Sequence, residues 1–548
     1  IETDFCKGRG EFPEVNTDLG KIRGSYRVSV LGRKYAAFEG IPYAEPPIQE
    51  YRFEEPQEKR PWQGIWIANN TYTCLQLHHA KIDDNYKIEG QEDCLYINIY
   101  SPQIKRKDLD VIVFIHGGAF MFGNGHFYEP DILMDKDVVY VSLNYRVGIL
   151  GFLSTEDSVI PGNFGLKDQL MALKWIQKYI SAFGGNTDSV TITGMSAGGA
   201  SVHIHYLSPL SEGLFHKGYS QSGTALNPWV LVENSLEKAK LAAHYLGCPS
   251  GSSVEILECL RQRPGLQIVE TTRKFFSWLY NPFSPFGVVV DKWSKNPILP
   301  DHPIKILESG KVKNLPWIFS MTESEGLYPA AEFVSNSRFL QEIQEQWDTL
   351  LPHILDFNHT LCSEKLNPVA QEIRDYYFKD KPISENSFST LVKLIGDRLF
   401  VVDIETAAKL QASRSSSPVY FYYFTYIGTH SLSDFLSGNT ENYGASHGDD
   451  TLYVLRTHMQ KNCTEEDIKM ASLMRDLWSS FAHIGIPHIN DVIWQPISRN
   501  KAHPLKYLHI GSPSRLQMAA NDNLGNKEFW DSLPYKENYK LFNQKDEL

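Results

Sequence analysis

Short apolar runs rich in β-branched residues alternate along the chain with stretches in which apolar residues recur every three or four positions. The runs predict buried strands, and the periodic stretches predict helices. The predicted strands are residues 111–115, Val138–Leu143, 189–193, 317–321 and 419–427. The predicted helices are residues 165–183, Ala197–Leu207 and 468–484, the last with Thr464 as its N-cap. Strands that alternate with helices predict an α/β fold with a mainly parallel, doubly wound sheet.

The composition excludes two classes of partner. The 548 residues include 53 Lys+Arg and 65 Asp+Glu, which gives a formal net charge of -12. A nucleic-acid binder needs a basic surface, so the acid excess argues against one. No apolar run reaches the roughly 18 residues that a membrane span requires. We therefore expect a soluble globular protein that binds neither nucleic acid nor a bilayer through a span.

The segment Gly194-Met195-Ser196-Ala197-Gly198 has the pattern G-x-S-x-G between a predicted strand and a predicted helix. This strand–turn–helix setting is that of a nucleophile elbow. The two glycines permit a sharp turn and leave the Ser196 hydroxyl open to approach. The alternative is a Gly/Ser turn that only begins a helix, and the bare pattern arises by chance roughly 0.2 times in a chain of this length.

A glycine turn, His116-Gly117-Gly118-Ala119, directly follows the predicted strand at 111–115. Such a turn can point consecutive backbone N–H groups into a cleft. Ester cleavage passes through a tetrahedral oxyanion that needs such donors. The N–H groups of Gly118, Ala119 and Ala197 are the candidates, although the turn alone is also compatible with an ordinary tight turn.

A serine nucleophile needs a base and an acid that orients the base. His447 lies in a polar loop after the predicted strand at 419–427. Glu325 follows the strand at 317–321, and Glu323 is an equal candidate on composition alone. The order serine, acid, histidine along the chain is that of α/β-hydrolases. Each of these residues lies just past a predicted strand, where open α/β sheets place their sites.

Cysteine spacing suggests disulfides rather than a metal site. Of seven cysteines, Cys74 and Cys94 are close in sequence, and so are Cys248 and Cys259. Either pair can close a loop in an oxidising compartment. No spacing is typical of a zinc site. We expect neither a metal nor another cofactor.

Other short motifs indicate a secretory-pathway protein. The sequence Lys-Asp-Glu-Leu at 545–548 matches the retrieval address of the endoplasmic reticulum. It predicts a lumenal location and the KDEL receptor as a partner. N-glycosylation sequons begin at Asn69, Asn358 and Asn462.

Longer matches identify a family. The segments 183–198, 92–98, 144–148 and 165–169 resemble signatures of the type-B carboxylesterase/cholinesterase family, and the similarity runs from residue 40 to residue 530. The local detail is most similar to insect carboxylesterases. The resemblance implies a single α/β-hydrolase domain over residues 1–548 and hydrolysis of carboxylic esters.

The resemblance also implies roles for individual residues. The family's acid precedes a glycine, which favours Glu325 over Glu323. By position, the implied residues are the triad Ser196, Glu325 and His447, the oxyanion-hole residues Gly118, Ala119 and Ala197, the supporting Ser222, the disulfides Cys74–Cys94 and Cys248–Cys259, and the acyl-pocket positions Trp229 and Phe283 or Phe286.

Departures from the family pattern narrow the substrate. Met195 stands where the family usually has Glu, and residues 75–93 contain no Trp. Without that ring or that carboxylate a quaternary ammonium loses its main attractions. We therefore expect Met195 in a pocket for neutral, lipophilic esters, with detoxification of xenobiotics or insecticides as a role. The alternatives are a slow protein that sequesters esters or organophosphates, a hormone or pheromone ester hydrolase, and a binding protein without activity.

Overall fold

The computed structural model describes residues 12–78, 87–457, 460, 462–535 and 537. The retrieval sequence at 545–548, on which the expected lumenal location and the KDEL receptor depend, lies outside the described residues, and so does Cys6.

Most strands join one 11-stranded sheet, whose order is β16-β15-β14-β13-β12-β11-β9-β10-β8-β4-β3. The strands are β1 (Glu14–Thr17), β2 (Gly20–Arg23), β3 (Ser25–Val28), β4 (Lys34–Pro42), β5 (Ile65–Ile67), β6 (Gln76–His78), β7 (Lys87–Glu89), β8 (Tyr96–Ser101), β9 (Leu109–Ile115), β10 (Val138–Leu143), β11 (Gly185–Met195), β12 (Lys217–Gln221), β13 (Trp317–Thr322), β14 (Val419–Phe424), β15 (Leu505–Ser512) and β16 (Arg515–Asn521).

The helices cover both faces of this sheet and its carboxyl edge. They are α1 (Gly148–Phe152), α2 (Phe164–Tyr179), α3 (Ala197–Leu207), α4 (Ser235–Tyr245), α5 (Ser253–Gln262), α6 (Gly265–Glu270), α7 (Pro303–Ser309), α8 (Leu327–Ala330), α9 (Ser337–Glu345), α10 (Trp347–Ile354), α11 (Ser363–Tyr377), α12 (Phe388–Gly396), α13 (Val402–Arg414), α14 (Leu432–Ser437), α15 (Glu465–Ile484) and α16 (Lys527–Ser532).

The predicted parallel sheet is confirmed, with a difference at its edges. Strands β9 to β15 run parallel to one another. Strands β3, β4 and β8 at one edge and β16 at the other are antiparallel. Antiparallel strands need no helical crossover, so strand–helix alternation did not reveal them.

The alternating direction of side chains along the central strands explains why helices cover both faces of the sheet. In β9, Val113 and Ile115 enter the core that contains residues of α2 and α3. Ile112 and Phe114 enter the opposite core, which contains the apolar face of α15. Side chains of a strand point alternately to the two faces of a sheet, so residues 111–115, which are all apolar, must be buried on both sides.

The register of the parallel strands brings their carboxyl ends to one place. Gly194 of β11 pairs with Ile115 of β9, and Met195 pairs with Gln221 of β12. Gln221 in turn pairs with Ser320 of β13. The residues that directly follow these strands therefore meet at one edge of the sheet, although they are far apart in sequence.

Both expected disulfides, Cys74–Cys94 and Cys248–Cys259, are confirmed. Cys362 and Cys463 are free and exposed. Of the described helices, none has the length and apolar character to cross a bilayer.

Candidate active site

Ser196 occupies a strained turn between β11 and α3. Its backbone has φ 62° and ψ -124°, a conformation that costs on the order of 1–3 kcal/mol and persists where the surroundings impose it. The flanking glycines are required sterically. A Cβ on Gly198 would lie 2.0 Å from the Ile115 carbonyl oxygen, and one on Gly194 would lie 2.5 Å from the Gly198 carbonyl carbon. The elbow therefore forms only if both positions lack a side chain.

Glu325 and His447 form a buried pair beside this elbow. His447 Nδ1 lies 2.5 Å from Glu325 Oε2. The other carboxylate oxygen, Oε1, accepts hydrogen bonds from Ser222 Oγ at 2.6 Å and from the Thr322 N–H at 2.7 Å. Only 1% of Glu325 is exposed. A carboxylate that is fixed by three donors holds the imidazole in one orientation, with Nδ1 as the donor and Nε2 as the acceptor.

Glu323, the competing acid, is in a different place. It is exposed, and its backbone N–H donates to the Phe424 carbonyl oxygen at 2.9 Å. The two glutamates are two residues apart on a segment that has just left a strand, so their side chains need not share a surface. The structure brings Glu325 to His447, and among the described contacts none joins Glu323 to it.

The free side of the His447 ring faces the reaction space. Nε2 of His447 is buried and has no hydrogen-bond partner among the described residues. His447 and Ser196 line the same cavity. Phe400 and Tyr328 flank the imidazole, with ring centroids 4.5 and 5.5 Å from it. A neutral imidazole with an open Nε2 can accept a proton from a hydroxyl group placed in the cavity.

The glycine turn after β9 packs directly on the elbow. A Cβ on Gly117 would lie 2.6 Å from the Met195 carbonyl oxygen. Three consecutive residues, Gly118, Ala119 and Phe120, have positive φ angles of 105°, 55° and 61°. The left-handed conformation costs a non-glycine residue roughly 1–2 kcal/mol, so Ala119 and Phe120 are held there by their surroundings. No local pattern of residues predicts this strain.

Hydrogen bonds within the turn orient its peptide groups. The Gly118 carbonyl oxygen accepts from the N–H groups of Met121 and Phe122, at 2.8 and 3.1 Å. The Gly117 carbonyl oxygen lies 2.8 Å from His116 Nδ1. Because each carbonyl is tied inside the turn, the N–H at the other end of its peptide group points away. Within the described residues, neither the Gly118 nor the Ala119 N–H donates to a protein acceptor. Ala197 is the first residue of α3, where N–H groups have no intrahelical partner.

The cavity above these residues has a volume of about 550 Å³. Most of its surface area is apolar, although polar side chains also contribute to the lining. The lining residues are Gln76, His78, Lys87, Glu89, His116, Gly117, Gly118, Phe122, Gly123, Asn124, Phe127, Tyr128, Met195, Ser196, Tyr328, Leu432, Phe435, Leu436, Ser446 and His447.

The predicted pocket residues are divided between this cavity and the core. Met195 lines the cavity, but Trp229, Phe283 and Phe286 are not among its lining residues. They are buried, and Phe283 packs between Trp229 and Tyr328, with ring centroids 5.8 and 5.3 Å away. Tyr328 is therefore the ring that separates this aromatic core from the open space.

Sequence reasoning missed most of the cavity wall. Tyr328 is three residues beyond Glu325, and that proximity was a usable indication. Leu432, Phe435 and Leu436 come from the short helix α14. An apolar residue on a short helix looks the same in sequence whether it faces a core or a cavity. No cluster of side chains that could hold a metal ion was found among the described residues.

Two buried histidines on α3 make an acid-sensitive element behind Ser196. Burial lowers the pKa of the His203 and His205 imidazoles to about 3. His205 Nε2 lies 3.0 Å from Gln169 Oε1, so the neutral ring donates that bond. Between a free-histidine pKa of ~6.5 and these values, the unfolded chain binds protons that the native protein does not. Native stability therefore falls as the pH falls.

We expect His205→Gln to lessen this acid sensitivity. For one such group the free energy of unfolding changes by ~1.4 kcal/mol per pH unit. The slope between pH 6 and pH 4 should be smaller by about that amount in the variant, as measured by urea unfolding. His244→Gln, at an exposed position of α4, should leave the slope unchanged. An identical slope for His205→Gln and the wild type would contradict the prediction.

Comparison with known proteins agrees with this geometry. A model of the carboxylesterase family matches residues 11–530. Venom carboxylesterase-6 of Apis mellifera is 42% identical over 532 residues, which cover 96% of this chain and 95% of that protein. Esterase FE4 of Myzus persicae is 44% identical over 510 residues, which cover 91% of this chain and 89% of that protein.

A solved structure is similar over nearly the whole chain. It is juvenile hormone esterase from Manduca sexta with OTFP covalently attached, with a TM-score of 0.84 and 28% identity. The match covers 95% of this chain and 99% of that one. The predicted α/β-hydrolase fold is therefore confirmed. The chain belongs to the carboxylesterase family and is a serine ester hydrolase.

Proposed function

We propose that this enzyme hydrolyses neutral, lipophilic carboxylesters through an acyl-enzyme on Ser196. The observation that carries the proposal is the buried contact of Glu325 with His447 Nδ1, which leaves Nε2 open in the cavity that Ser196 also lines. The solved relative with a covalently attached molecule supports covalent chemistry in this fold.

Acylation uses the nucleophile, the base and the oxyanion donors together. His447 Nε2 accepts the proton of the Ser196 hydroxyl as its oxygen attacks the ester carbonyl carbon. The carbonyl oxygen becomes an oxyanion, which the N–H groups of Gly118, Ala119 and Ala197 stabilise. Collapse of this intermediate breaks the bond to the alcohol oxygen, and His447 gives its proton to that oxygen. The alcohol leaves, and the acyl group remains on Ser196.

Deacylation repeats the same steps with water. His447 removes a proton from a water molecule that attacks the acyl carbon, and the oxyanion forms again. Its collapse releases the carboxylic acid and returns the proton to Ser196. Glu325 stays ionised, fixes the tautomer of the ring and stabilises the imidazolium.

The cavity favours neutral, apolar esters. The cavity lining that contains Ser196 and His447 also contains Met195, Tyr328 and Leu432. Lys87 and Glu89, both on β7, contribute one positive and one negative formal charge to the lining. Apolar groups gain about 25 cal/mol for each Å² removed from water, whereas a charged group would lose hydration without a dedicated partner.

Two roles are consistent with such a site. The first is removal of xenobiotic esters, including insecticides, whose common property is lipophilicity. The second is hydrolysis of a hormone ester, which the structural similarity to a juvenile hormone esterase favours. A slow-turnover variant of the first role would sequester esters or organophosphates rather than destroy them.

A kinetic series separates these roles. We expect p-nitrophenyl esters of two to eight acyl carbons to give a burst equal to the enzyme concentration, followed by steady turnover, and choline esters to react at least about tenfold more slowly. A burst without steady turnover would favour sequestration. A juvenile hormone that reacts with a higher kcat/KM than every simple ester would favour the hormone role. No burst and no turnover with any ester would contradict the proposed function.

The location and modification of the enzyme are also proposals. Two disulfides are typical of an oxidising compartment, which supports the lumen of the endoplasmic reticulum. Of the sequon residues, Asn69 and Asn462 are exposed and Asn358 is half-buried. We therefore propose glycans on Asn69 and Asn462 before Asn358.

A further inference from the structure

We propose that Gln76 is a positioning residue for the oxyanion loop, which we define as residues 117–123. The inference rests on the proposed function, because the loop matters only if Gly118 and Ala119 stabilise an oxyanion. Gln76 is the first residue of β6, on a segment far from the loop in sequence. Gln76 takes no part in the acylation or deacylation steps and acts through Gly123.

One side-chain carboxamide makes a two-point contact with the loop. Gln76 Oε1 accepts the Gly123 N–H at 2.6 Å, and Gln76 Nε2 donates to the Gly123 carbonyl oxygen at 3.1 Å. The same Nε2 donates to the Cys74 carbonyl oxygen at 2.9 Å. Only 2% of Gln76 is exposed. The carboxamide therefore satisfies both backbone groups of one residue, as a neighbouring strand would.

Fixing Gly123 also fixes the start of the loop. A Cβ on Gly123 would lie 2.4 Å from His116 Nδ1 and 2.6 Å from the Gly117 carbonyl oxygen. A Cβ on Gly118 would lie 2.1 Å from the Phe122 carbonyl oxygen. The two ends of the loop are thus in direct contact. A shift of Gly123 must move the peptide group that carries the Gly118 N–H.

The loop needs support from outside itself. Its residues from Gly118 to Phe120 have positive φ angles, and two of these residues are not glycine. Such backbone relaxes unless neighbouring groups over-determine it. An oxyanion donor is effective only at about 2.7–3.1 Å from the developing charge. A small relaxation of the loop therefore lowers the rate more than it lowers substrate binding.

The anchor of Gln76 is covalent. Cys74, two residues before Gln76, forms a disulfide with Cys94, and the Cys74 carbonyl oxygen accepts a hydrogen bond from Gln76 Nε2. Cys94 lies just before β8 of the main sheet. The disulfide thus connects the body of the sheet to the oxyanion loop through one carboxamide. This gives the Cys74–Cys94 bridge a role in the reaction, beyond closing a loop.

The test compares Gln76→Met with a matched control. Met has a similar length and cannot make the two bonds to Gly123. Gln177→Met is the control, because Gln177 Nε2 also donates to two backbone carbonyls, of Thr187 and Leu214, both at 3.0 Å, and Gln177 does not line the cavity. Gln76→Asn, whose carboxamide ends about one methylene short, is the second site variant if Gln76→Met folds poorly.

We expect Gln76→Met to lower kcat for a p-nitrophenyl ester by about 10²-fold, as loss of an oxyanion donor does, with KM within about threefold of the wild type. The inhibition constant of a trifluoromethyl ketone, which forms a tetrahedral adduct, should rise by the same factor as kcat/KM falls. In Gln177→Met, kcat and the inhibition constant of the ketone should both stay within about twofold of the wild type. Its loss of thermal stability should be similar to that of Gln76→Met.

With an active wild type, any one of three results would overturn the inference. The first is that Gln76→Met and Gln76→Asn have the same kcat/KM as Gln177→Met. The others are that the Gln76 variants change only in KM, or that they bind the ketone as tightly as the wild type does. A wild type that hydrolyses no ester, with Ser196→Ala indistinguishable from it, would instead refute the proposed function on which the inference rests.

Discussion

Ser196→Ala is expected to reduce kcat/KM for a p-nitrophenyl ester by at least about 10⁴-fold. Without the hydroxyl no acyl-enzyme forms, and His447 and the oxyanion loop have no nucleophile to assist. The residual rate should show no burst. An organophosphate should modify the wild type once, and mass spectrometry should place the phosphoryl group on the peptide that contains Ser196.

A neighbouring serine provides the control for this substitution. Ser201 is also on α3 and is fully buried, and its hydroxyl accepts a hydrogen bond from Gln169 Nε2 at 3.1 Å. Ser201→Ala removes a hydroxyl from the same helix and should keep the burst and the labelling. Organophosphate bound elsewhere while Ser196 stays unmodified would refute Ser196 as the nucleophile.

Glu325→Gln is expected to lower kcat by about 10³–10⁴-fold, as amides do at the acid position of other triads. Both oxygens of the present carboxylate accept hydrogen bonds, from Ser222 and Thr322 on one side and from His447 on the other. An amide would turn an N–H towards His447 Nδ1 and favour the tautomer with a proton on Nε2. That tautomer cannot accept the proton of Ser196.

Glu323→Gln is the matched control for this prediction. It makes the same chemical change two residues away, on an exposed side chain that does not contact His447. We expect its kcat within about twofold of the wild type. Thermal denaturation should show that both variants are folded. If Glu323→Gln lost as much activity as Glu325→Gln, the contact with His447 would not be the reason for the loss.

Local sequence patterns predicted the centre of the fold well. The strands β9, β10 and β11 and the helices α2 and α3 were all expected, because strands buried on both faces are rich in apolar and β-branched residues and helices beside them must have an apolar stripe. The edge strands β3, β4 and β16 were not expected. They contain polar residues, and β3 with β4 and β15 with β16 pair antiparallel across short connections, so no helix separates these strands in the sequence.

Two boundaries show how tertiary contacts end an element. The predicted helix at 165–183 is α2 only to Tyr179, and residues Ile180–Phe183 form a tighter 3-10 turn before Gly184. The predicted strand at 419–427 ends at Phe424, the last residue that pairs with β13. Ile180 and Phe183 remain buried although the regular α-helix has ended, whereas Ile427 is exposed although it is apolar.

The sequence by itself determined the central helices and strands, and those functional turns whose conformation depends only on the residues of a short segment. The Gly194–Gly198 turn, the glycines before Ala119 and the apolar central strands each follow from local steric and hydrophobic requirements. The short separation of the cysteines in sequence and the family resemblance were together sufficient to pair Cys74 with Cys94 and Cys248 with Cys259, as the structure confirms.

Only the tertiary structure decided which side chains meet. Composition could not separate Glu325 from Glu323, and the contact with His447 distinguishes them. Trp229 and Phe283 are buried behind Tyr328 rather than beside the cavity, and Gln76 reaches the oxyanion loop from another part of the chain. Such meetings depend on strand register and on the packing of distant segments, which no local pattern of residues contains.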